Sequence, residues 1–579
     1  MKEKWIVTNK KTAFENLSRE MELSPILLRL LANRGITTKK QAEEFLFGDI
    51  DKLTDPYLMK DMNIAISIIK DAILKNKKIV IYGDYDCDGV CSTAILYKTL
   101  KKLNAQFDYY IPNRESEGYG MNSHRIEVLK NEGAQVIITC DNGISAYEEV
   151  KFAKELGMTV VVTDHHDIPE RIPPADCVVN PKQADCNYPF KQLCGAGVAL
   201  KFSKALLEEM NIKNMDYSEL IQFAALATIC DVVDLLDENR IIVKRGLELI
   251  NRTENCGLKA LIKANNLEDK TISEYHLGFV FGPCINATGR LETADISLQL
   301  LTCEDSSEAF ELAKKLVELN NARQEITFEG LERILNNLSI EENEKVIVVF
   351  DPELHESIAG IVAGRIREKY NLPTIVMTKG KDGLKGSGRS IEGYNMFEEL
   401  TKCKEYIEKF GGHPMAAGLS IKEENFMLLK KALNDKCSLT DEDVLPVVRI
   451  DSPLNLETIS EELISDLNKM KPVGKCNPSP LFAAKKLEVA RTYFIGKEKN
   501  ILKFKIKMNN GMQIDAINFD KYDMFKEEFI GMYGEEEFLK LQDDGYSNFK
   551  LGITYYPDIN EYNGVRNIQL IIKNIRIEK

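Results

Sequence analysis

The chain has no Cys-x-x-Cys pair. Its 13 cysteines fall inside apolar runs or beside acids, as at Cys87, Cys140 and Cys230, so neither a zinc ribbon nor a disulfide framework is expected. No run approaches the ~20 apolar residues of a spanning helix, and Met1-Lys2-Glu3-Lys4 is not followed by an apolar core of signal-peptide length. The expectation is a cytoplasmic protein in a reducing compartment with no membrane partner. Excess positive charge is missing as well. A formal net charge of -14 argues against a uniformly basic nucleic-acid coat, while leaving room for a local basic groove or a site that meets phosphates through metal ions. Histidine is scarce, with six in the chain.

What is present is an ordinary globular composition, 44% hydrophobic and 29% charged over 579 residues, too long for one core. Residues 1–75 read as helical, with periodic apolar positions at 25–31 and 62–69 and no evident chemistry. From residue 77 strands and helices alternate: strands to Tyr82, at 107–111, 136–139 and 159–163, with helices to about 103, near 124–131 and over 146–156. That alternation predicts a parallel sheet covered by helices.

Three of these strands run into metal-compatible groups. The first ends in Asp84, Asp86 and Asp88, bracketed by Gly83 and Gly89; the second in Asp141-Asn142-Gly143; the third in Asp164-His165-His166-Asp167. Three carboxylates so close repel one another unless a cation or raised pKa values relieve them. The carboxyl ends of parallel strands form the ligand crevice of an open sheet, so these groups converge on one edge. Each motif alone has a plainer reading: a solvated acidic turn or a calcium loop for 84–88, a helix N-cap for Asp141, one core and one exposed histidine for His165-His166.

Further along, the apolar helical run 223–230 ends in Asp231, either a buried ligand or a helix boundary in water. Asn286-Ala287-Thr288-Gly289-Arg290 can present a guanidinium from a turn. Residues 306–338 read as a long helix striped by Phe310, Leu312, Leu316 and Leu319, suited to bridging domains. A second α/β pattern starts at Val346 and carries His355, Gly386-Ser387-Gly388-Arg389-Ser390 and Gly411-Gly412-His413-Pro414. The Gly-Ser-Gly-Arg-Ser stretch has the composition of an anion cradle, or of a tight hairpin with a surface arginine. After about Val444 the period drops towards two. Strands are expected at 487–495, 501–508, 512–519, 551–556 and 568–577, with turns at Asn510-Gly511 and Asn563-Gly564. That pattern predicts a small β-barrel with the aromatic and basic content of a single-strand binding surface, content that plain barrels also carry.

Taken together, Asp84-Tyr85-Asp86-Cys87-Asp88-Gly89, Asp141-Asn142-Gly143, Asp164-His165-His166 and Asp231 resemble the four motifs of the DHH phosphoesterase superfamily. Ile111-Pro112-Asn113-Arg114, Glu117-Gly118-Tyr119-Gly120, Val179-Asn180-Pro181, Asn286 to Arg290, Gly386 to Ser390, Gly411 to Pro414 and a C-terminal stretch over 559–570 are similar to the RecJ family within it. The resemblance implies an α/β protein: a parallel-sheet DHH domain joined by a long helix to a second α/β domain, DHHA1, then an OB-type barrel. The corresponding segments are a helical segment 1–75, the DHH domain 76–305, a linker helix 306–340, DHHA1 341–440 and the barrel 441–579. It also implies a 5′→3′ exonuclease that hydrolyses single-stranded DNA to 5′-mononucleotides in repair and recombination. Asp84, Asp86, Asp88, Asp141, His165 and Asp231 would hold two divalent cations, Mn²⁺ ahead of Mg²⁺. His166 would face the scissile phosphate. Arg114, Tyr119, Arg290, His355, Ser387, Arg389 and His413 would contact a strand with a 5′ phosphate, and a single-strand-binding protein or helicase is the implied partner class. The chain departs from the family at Leu354, where tryptophan is usual, at 356–360, and at Val473-Gly474-Lys475-Cys476-Asn477-Pro478. Other readings are a DHH nanoRNase or cyclic-dinucleotide phosphodiesterase, which leaves the barrel unexplained, and an inactive single-strand-binding scaffold, which has no need of so many repelling carboxylates.

Overall fold

A computed structural model describes residues 3–114, 116–212, 216–341, 344–380, 383–562 and 564–578. The chain forms two compact units, Ile50–Leu445 and a second made of Met1–Asp49 with Pro446–Lys579.

The core of the larger unit is a five-stranded parallel sheet in the order Phe107–Tyr110, Ile79–Tyr82, Val136–Cys140, Thr159–Thr163, Cys177–Val179. The three central strands are runs of Val, Ile and Thr buried on nearly every residue, as expected where helices cover both faces. Register decides where their ends fall. Tyr82 pairs with Thr139 and Cys140 with Thr163, so Asp84, Asp141 and Asp164 leave the sheet at the same level. The short fifth strand is absent from the sequence reading, three residues being too few for a periodicity signal. Helices Cys87–Lys102, Gly195–Glu209 and Ser218–Cys230 pack against one another.

The 32-residue helix Ser306–Asn337 spans about 48 Å at 1.5 Å per residue. Its buried positions are Ala309, Ala313, Leu316, Asn320, Thr327, Gly330 and Ile334, so of the expected stripe only Leu316 is fully buried. Small residues let neighbouring helices approach closely, a signal that hydropathy does not carry. The helix leads to a mixed sheet in the order Lys409–His413, Ala416–Ile421, Leu384–Arg389, Thr374–Lys379, Ile347–Phe350, parallel only between the last two.

In the smaller unit five strands close into a barrel: Phe482–Ile495, Ile501–Lys507, Gln513–Asn518, Val565–Glu578 and Lys550–Tyr562, the last also pairing with the first. Gly511, at φ +85°, turns the hairpin expected there; at the other hairpin Asn563 lies outside the described residues. Helices Tyr522–Tyr533 and Glu535–Asp544, not anticipated, interrupt the strands and bury Phe525, Phe529 and Phe538. The expectation of an all-helical stretch over 1–75 needs correcting at Lys4–Val7, a strand that pairs in parallel with Val447–Ile450. Four residues whose partner lies more than 400 positions away leave no local signature.

Candidate metal centre

The first acid motif is built by close backbone contact. A Cβ on Gly83 would run into Thr93 Oγ1 and one on Gly89 into the Asp84 carbonyl, so the strand end and the helix start are pressed together at the two positions lacking side chains. Asp86 caps helix Cys87–Lys102, accepting a hydrogen bond from Gly89 N at 3.0 Å. Asp88, in the first turn and buried, accepts from Gly195 N at 2.6 Å and Ala196 N at 2.7 Å. Those amides open helix Gly195–Glu209, whose positive end suits a carboxylate. Asp141 is left-handed at φ +62°, and a Cβ on Gly195 would stand 2.6 Å from its Cβ. Asp231 ends helix Ser218–Cys230 and is followed by Val232 at φ +56°, strained backbone for a β-branched residue.

These acids converge on His165. Its Nε2 lies 3.0 Å from Asp141 Oδ1, 3.6 Å from Asp88 Oδ2 and 3.7 Å from Asp231 Oδ2. Three overlapping groups have donor atoms within 4.8 Å of one another: Asp84, Asp86 and Asp141; Asp88, His165 and Asp231; Asp141, His165 and His166. Among the described residues the buried atoms Asp84 Oδ1, Asp141 Oδ1 and His165 Nε2 have no hydrogen-bond partner. Burial, then the charge of Asp86, raises Asp84 well above the carboxylate range. Burial and the charges of Asp88 and Asp86 do the same to Asp141 and Asp231. Asp88 is pushed up to about 6 by burial and Asp86, against the pull of the Ala196 and Gly195 amides. His165 is driven down to about 3 by burial and by the charge of His166, so the ring is neutral and offers a lone pair from one nitrogen. A neutral imidazole and crowded, unpaired carboxylate oxygens form a donor set that fits divalent cations, and Asp141 and His165 belong to more than one group.

His166 is organised differently. Asp164, fully buried, accepts from the backbone amides of Ile144, His165 and His166 and pairs with His166 Nδ1 at 2.8 Å. Burial opposes charge on both, yet the pair holds Asp164 down to about 2 and lifts His166 to about 9. Tyr119 Oη donates to the Asp141 carbonyl at 3.2 Å and lies 3.3 Å from His166 Nδ1. Asp164 holds His166 as a cation, a role its place in the motif did not reveal.

A second set of residues is cationic. The Arg114 guanidinium lies 5.1 Å over the Tyr85 ring. Arg290 donates to the Ser357 carbonyl at 2.6 Å, reaching from helix Gly282–Leu291 to the second sheet's side of the unit. Burial and the charges of Arg114 and Arg323 pull Arg290 down to about 10; burial and Arg114 lower Arg389 too. A Cβ on Gly360 would stand 2.6 Å from Arg389 Nη2. Among the described residues no carboxylate pairs with any of the three, an arrangement that calls for an anion.

Two local readings change. Residues 286–290 lie within a helix rather than a turn, with Gly289 admitting the Tyr85 backbone and Asn286 Oδ1 accepting from Cys87 N at 2.8 Å. The Gly-Ser-Gly-Arg stretch is a strand, Leu384–Arg389, not a cradle: Gly386 and Gly388 face Met377 and Met396, and alternation puts Ser387 and Arg389 on the other face. His355 caps the short helix Glu356–Ile358 through Ser357 N. Exposed His413 ends a hairpin strand, and its charge reaches Asp167, a carboxyl held low first by Lys182 and then by His166 and His413. Asn286, Asp164 and the 195–196 amides are the groups the sequence left without a role.

Residues 78–228 match the DHH family, N-terminal domain, residues 343–439 the DHHA1 domain and residues 450–574 the RecJ OB domain. The single-stranded-DNA-specific exonuclease RecJ of Bacillus subtilis is 38% identical over 570 residues, covering 98% of this chain and 70% of that protein. A crystal structure of RecJ in complex with Mn²⁺ from Thermus thermophilus superposes with a TM-score of 0.82 at 26% identity, covering 100% of this chain and 80% of that one. The complex with Mg²⁺ from the same organism gives 0.77 at 25% identity, covering 100% and 79%. The chain belongs to the RecJ family, with the DHH, DHHA1 and OB domains that its sheets and barrel display.

Proposed function

We propose that the chain is a metal-dependent exonuclease specific for single-stranded DNA, removing 5′-mononucleotides in the 5′→3′ direction in repair and recombination. The observation that carries this is the pairing of a carboxylate–imidazole cluster, in which Asp84 Oδ1, Asp141 Oδ1 and His165 Nε2 lack hydrogen-bond partners among the described residues, with arginines 114, 290 and 389, which have no carboxylate partner among them. Asp84, Asp86, Asp88, Asp141, His165 and Asp231 hold two cations; an imidazole among the oxygens favours Mn²⁺ over Mg²⁺. Divalent cations bound there supply Lewis-acid activation of water and neutralise charge on the reacting phosphoryl group.

This chain's residues do the rest. His166, kept protonated by Asp164, donates to a non-bridging oxygen of the scissile phosphate. Arg114, Arg290, Arg389 and Ser387 take the 5′ phosphate, and charge-assisted contacts that a 5′ hydroxyl cannot make set the direction. Tyr119 orients His166 and stacks on a base; His355 and His413 flank the strand. In this division 76–305 cuts, 306–340 bridges, 341–440 grips the end and 441–579 guides the strand, with 1–75 as support. Work in a reducing cytoplasm, supported by 13 free cysteines, is part of the proposal, with a single-strand-binding protein or helicase as the partner class.

The test is incubation with Mn²⁺ and single strands labelled at either end, beside duplex DNA, short RNA and cyclic dinucleotides. Early release of 5′ mononucleotides from single strands alone is the expected result. Equal or better cleavage of dinucleotides, or no cleavage of anything, overturns it.

A further inference from the structure

An exposed aromatic pair, on a segment packed against the end of the helix that carries Asp231, plays no part in the site described above. Tyr275 and Phe279 stack with ring centroids 5.2 Å apart and planes inclined by 26°, yet remain 61% and 71% exposed. They lie where the short helix Glu274–His276 runs through a π-helical turn, Leu277–Phe281, into helix Gly282–Leu291. Such turns are uncommon and gather at functional sites. Two glycines seat the turn on the end of the helix that carries Asp231. A Cβ on Gly278 would stand 3.2 Å from Ile229 Cγ2, and one on Gly282 would run into Cys230 Sγ. Phe279 follows Gly278 in that turn, about a quarter turn further around the axis, and Tyr275 lies about one turn earlier, in Glu274–His276. Val232, next to Asp231, adds a third exposed apolar side chain at 61%.

Single exposed apolar residues need no explanation, but stacked rings on an element packed against the helix that ends in a candidate metal ligand form a patch with an address. Two stacked rings offer a π-face of nucleobase dimensions, and base–aromatic stacking tolerates any sequence. We propose that Tyr275 and Phe279 are a stacking platform for unpaired bases of the substrate strand, holding the strand in register as it passes Asp231. Because only a base freed from its complement can lie on such a platform, the pair also favours single strands over duplex. The inference rests on the reading of single-stranded DNA as substrate.

The experiment uses the full chain with Mn²⁺ and 5′-phosphorylated oligonucleotides carrying one abasic residue, moved a position at a time from the 5′ end. For the wild type, abasic residues at one or two positions raise KM. Phe279→Ala raises KM on intact strands by about 5- to 100-fold and flattens that positional profile. Phe279→Trp restores both, and Phe279→Leu, apolar but without a ring, restores neither. A wild-type KM for Phe279→Ala, or a raised KM with the profile unchanged, overturns the platform. Binding of strands containing 2-aminopurine, followed by fluorescence quenching, separates this inference from the proposed activity. Quenching at a defined position that Phe279→Ala abolishes supports the platform even if the chain cuts nothing. Absence of quenching at every position overturns it even if the chain is an exonuclease.

Discussion

His165 Nε2 faces Asp141 Oδ1 across 3.0 Å, and among the described residues neither atom has a hydrogen-bond partner. With the imidazole held neutral and Asp141 ionised, two lone pairs would meet in a buried site, a contact that a proton on Asp141 or a bound cation relieves.

Asp141→Asn therefore lowers kcat by about 1,000-fold or more, since it removes an anionic ligand shared between groups. Asparagine tolerates the left-handed backbone at φ +62°, and loss of one mutually repelling charge leaves the metal-free fold at least as stable. Mononucleotide release and thermal melting in chelator check both halves; unchanged activity would sink the ligand assignment.

Metal uptake is coupled to protons. Asp88 is pushed up to about 6 by burial and Asp86, and Asp84, Asp141 and Asp231 are raised in the same direction. Cations must displace the protons these acids hold, so Mn²⁺ affinity rises with pH. The Mn²⁺-induced gain in melting temperature is larger at pH ~7.5 than at pH ~5, and calorimetry in buffers of different ionisation enthalpy detects proton release at the lower pH.

Asp164 sets the charge of His166. Against the effect of burial, the hydrogen bond and charge of Asp164 lift the His166 ring to about 9. Asp164→Asn, removing both the hydrogen bond and the charge, moves it down towards the ordinary value of about 6.5. NMR of the histidine ring protons, assigned with His166→Asn, reads the shift directly.

Arg290→Gln and Arg389→Gln each raise KM for 5′-phosphorylated strands by about 10- to 100-fold, the worth of a hydrogen bond to a charged group. KM for 5′-hydroxyl strands changes little. Equal losses on both substrates would assign the arginines to the chain's backbone phosphates instead.

Val232 holds a left-handed backbone at φ +56° with its side chain 61% exposed. Val232→Asn relieves that strain and stabilises the larger unit by about 1 kcal/mol, measured by denaturant unfolding. Because asparagine keeps the left-handed turn that aims Asp231, activity is retained.

Much of the centre was legible because parallel strands covered on both faces read as unbroken apolar runs, so Asp84, Asp141 and Asp164 announced themselves as the polar residues that end them. Asp231 was legible for a similar reason, as the acid closing an apolar helix. The amides of Gly195 and Ala196 were not, since a backbone N–H leaves no trace in residue type. Nor was the strand nature of residues 384–389, where glycines serve contacts with Met377 and Met396 rather than a turn.

The sequence by itself determined the chemistry: which acids, imidazoles and guanidiniums exist, the strand or helix that each one ends, and the family whose motifs they follow. Only the tertiary structure decided their company. The register of Tyr82 with Thr139 and of Cys140 with Thr163 brings three distant acids level, and the end of helix Ser218–Cys230 sets Asp231 against His165. Those relations arise from long-range burial and hydrogen bonding, which local propensity does not encode.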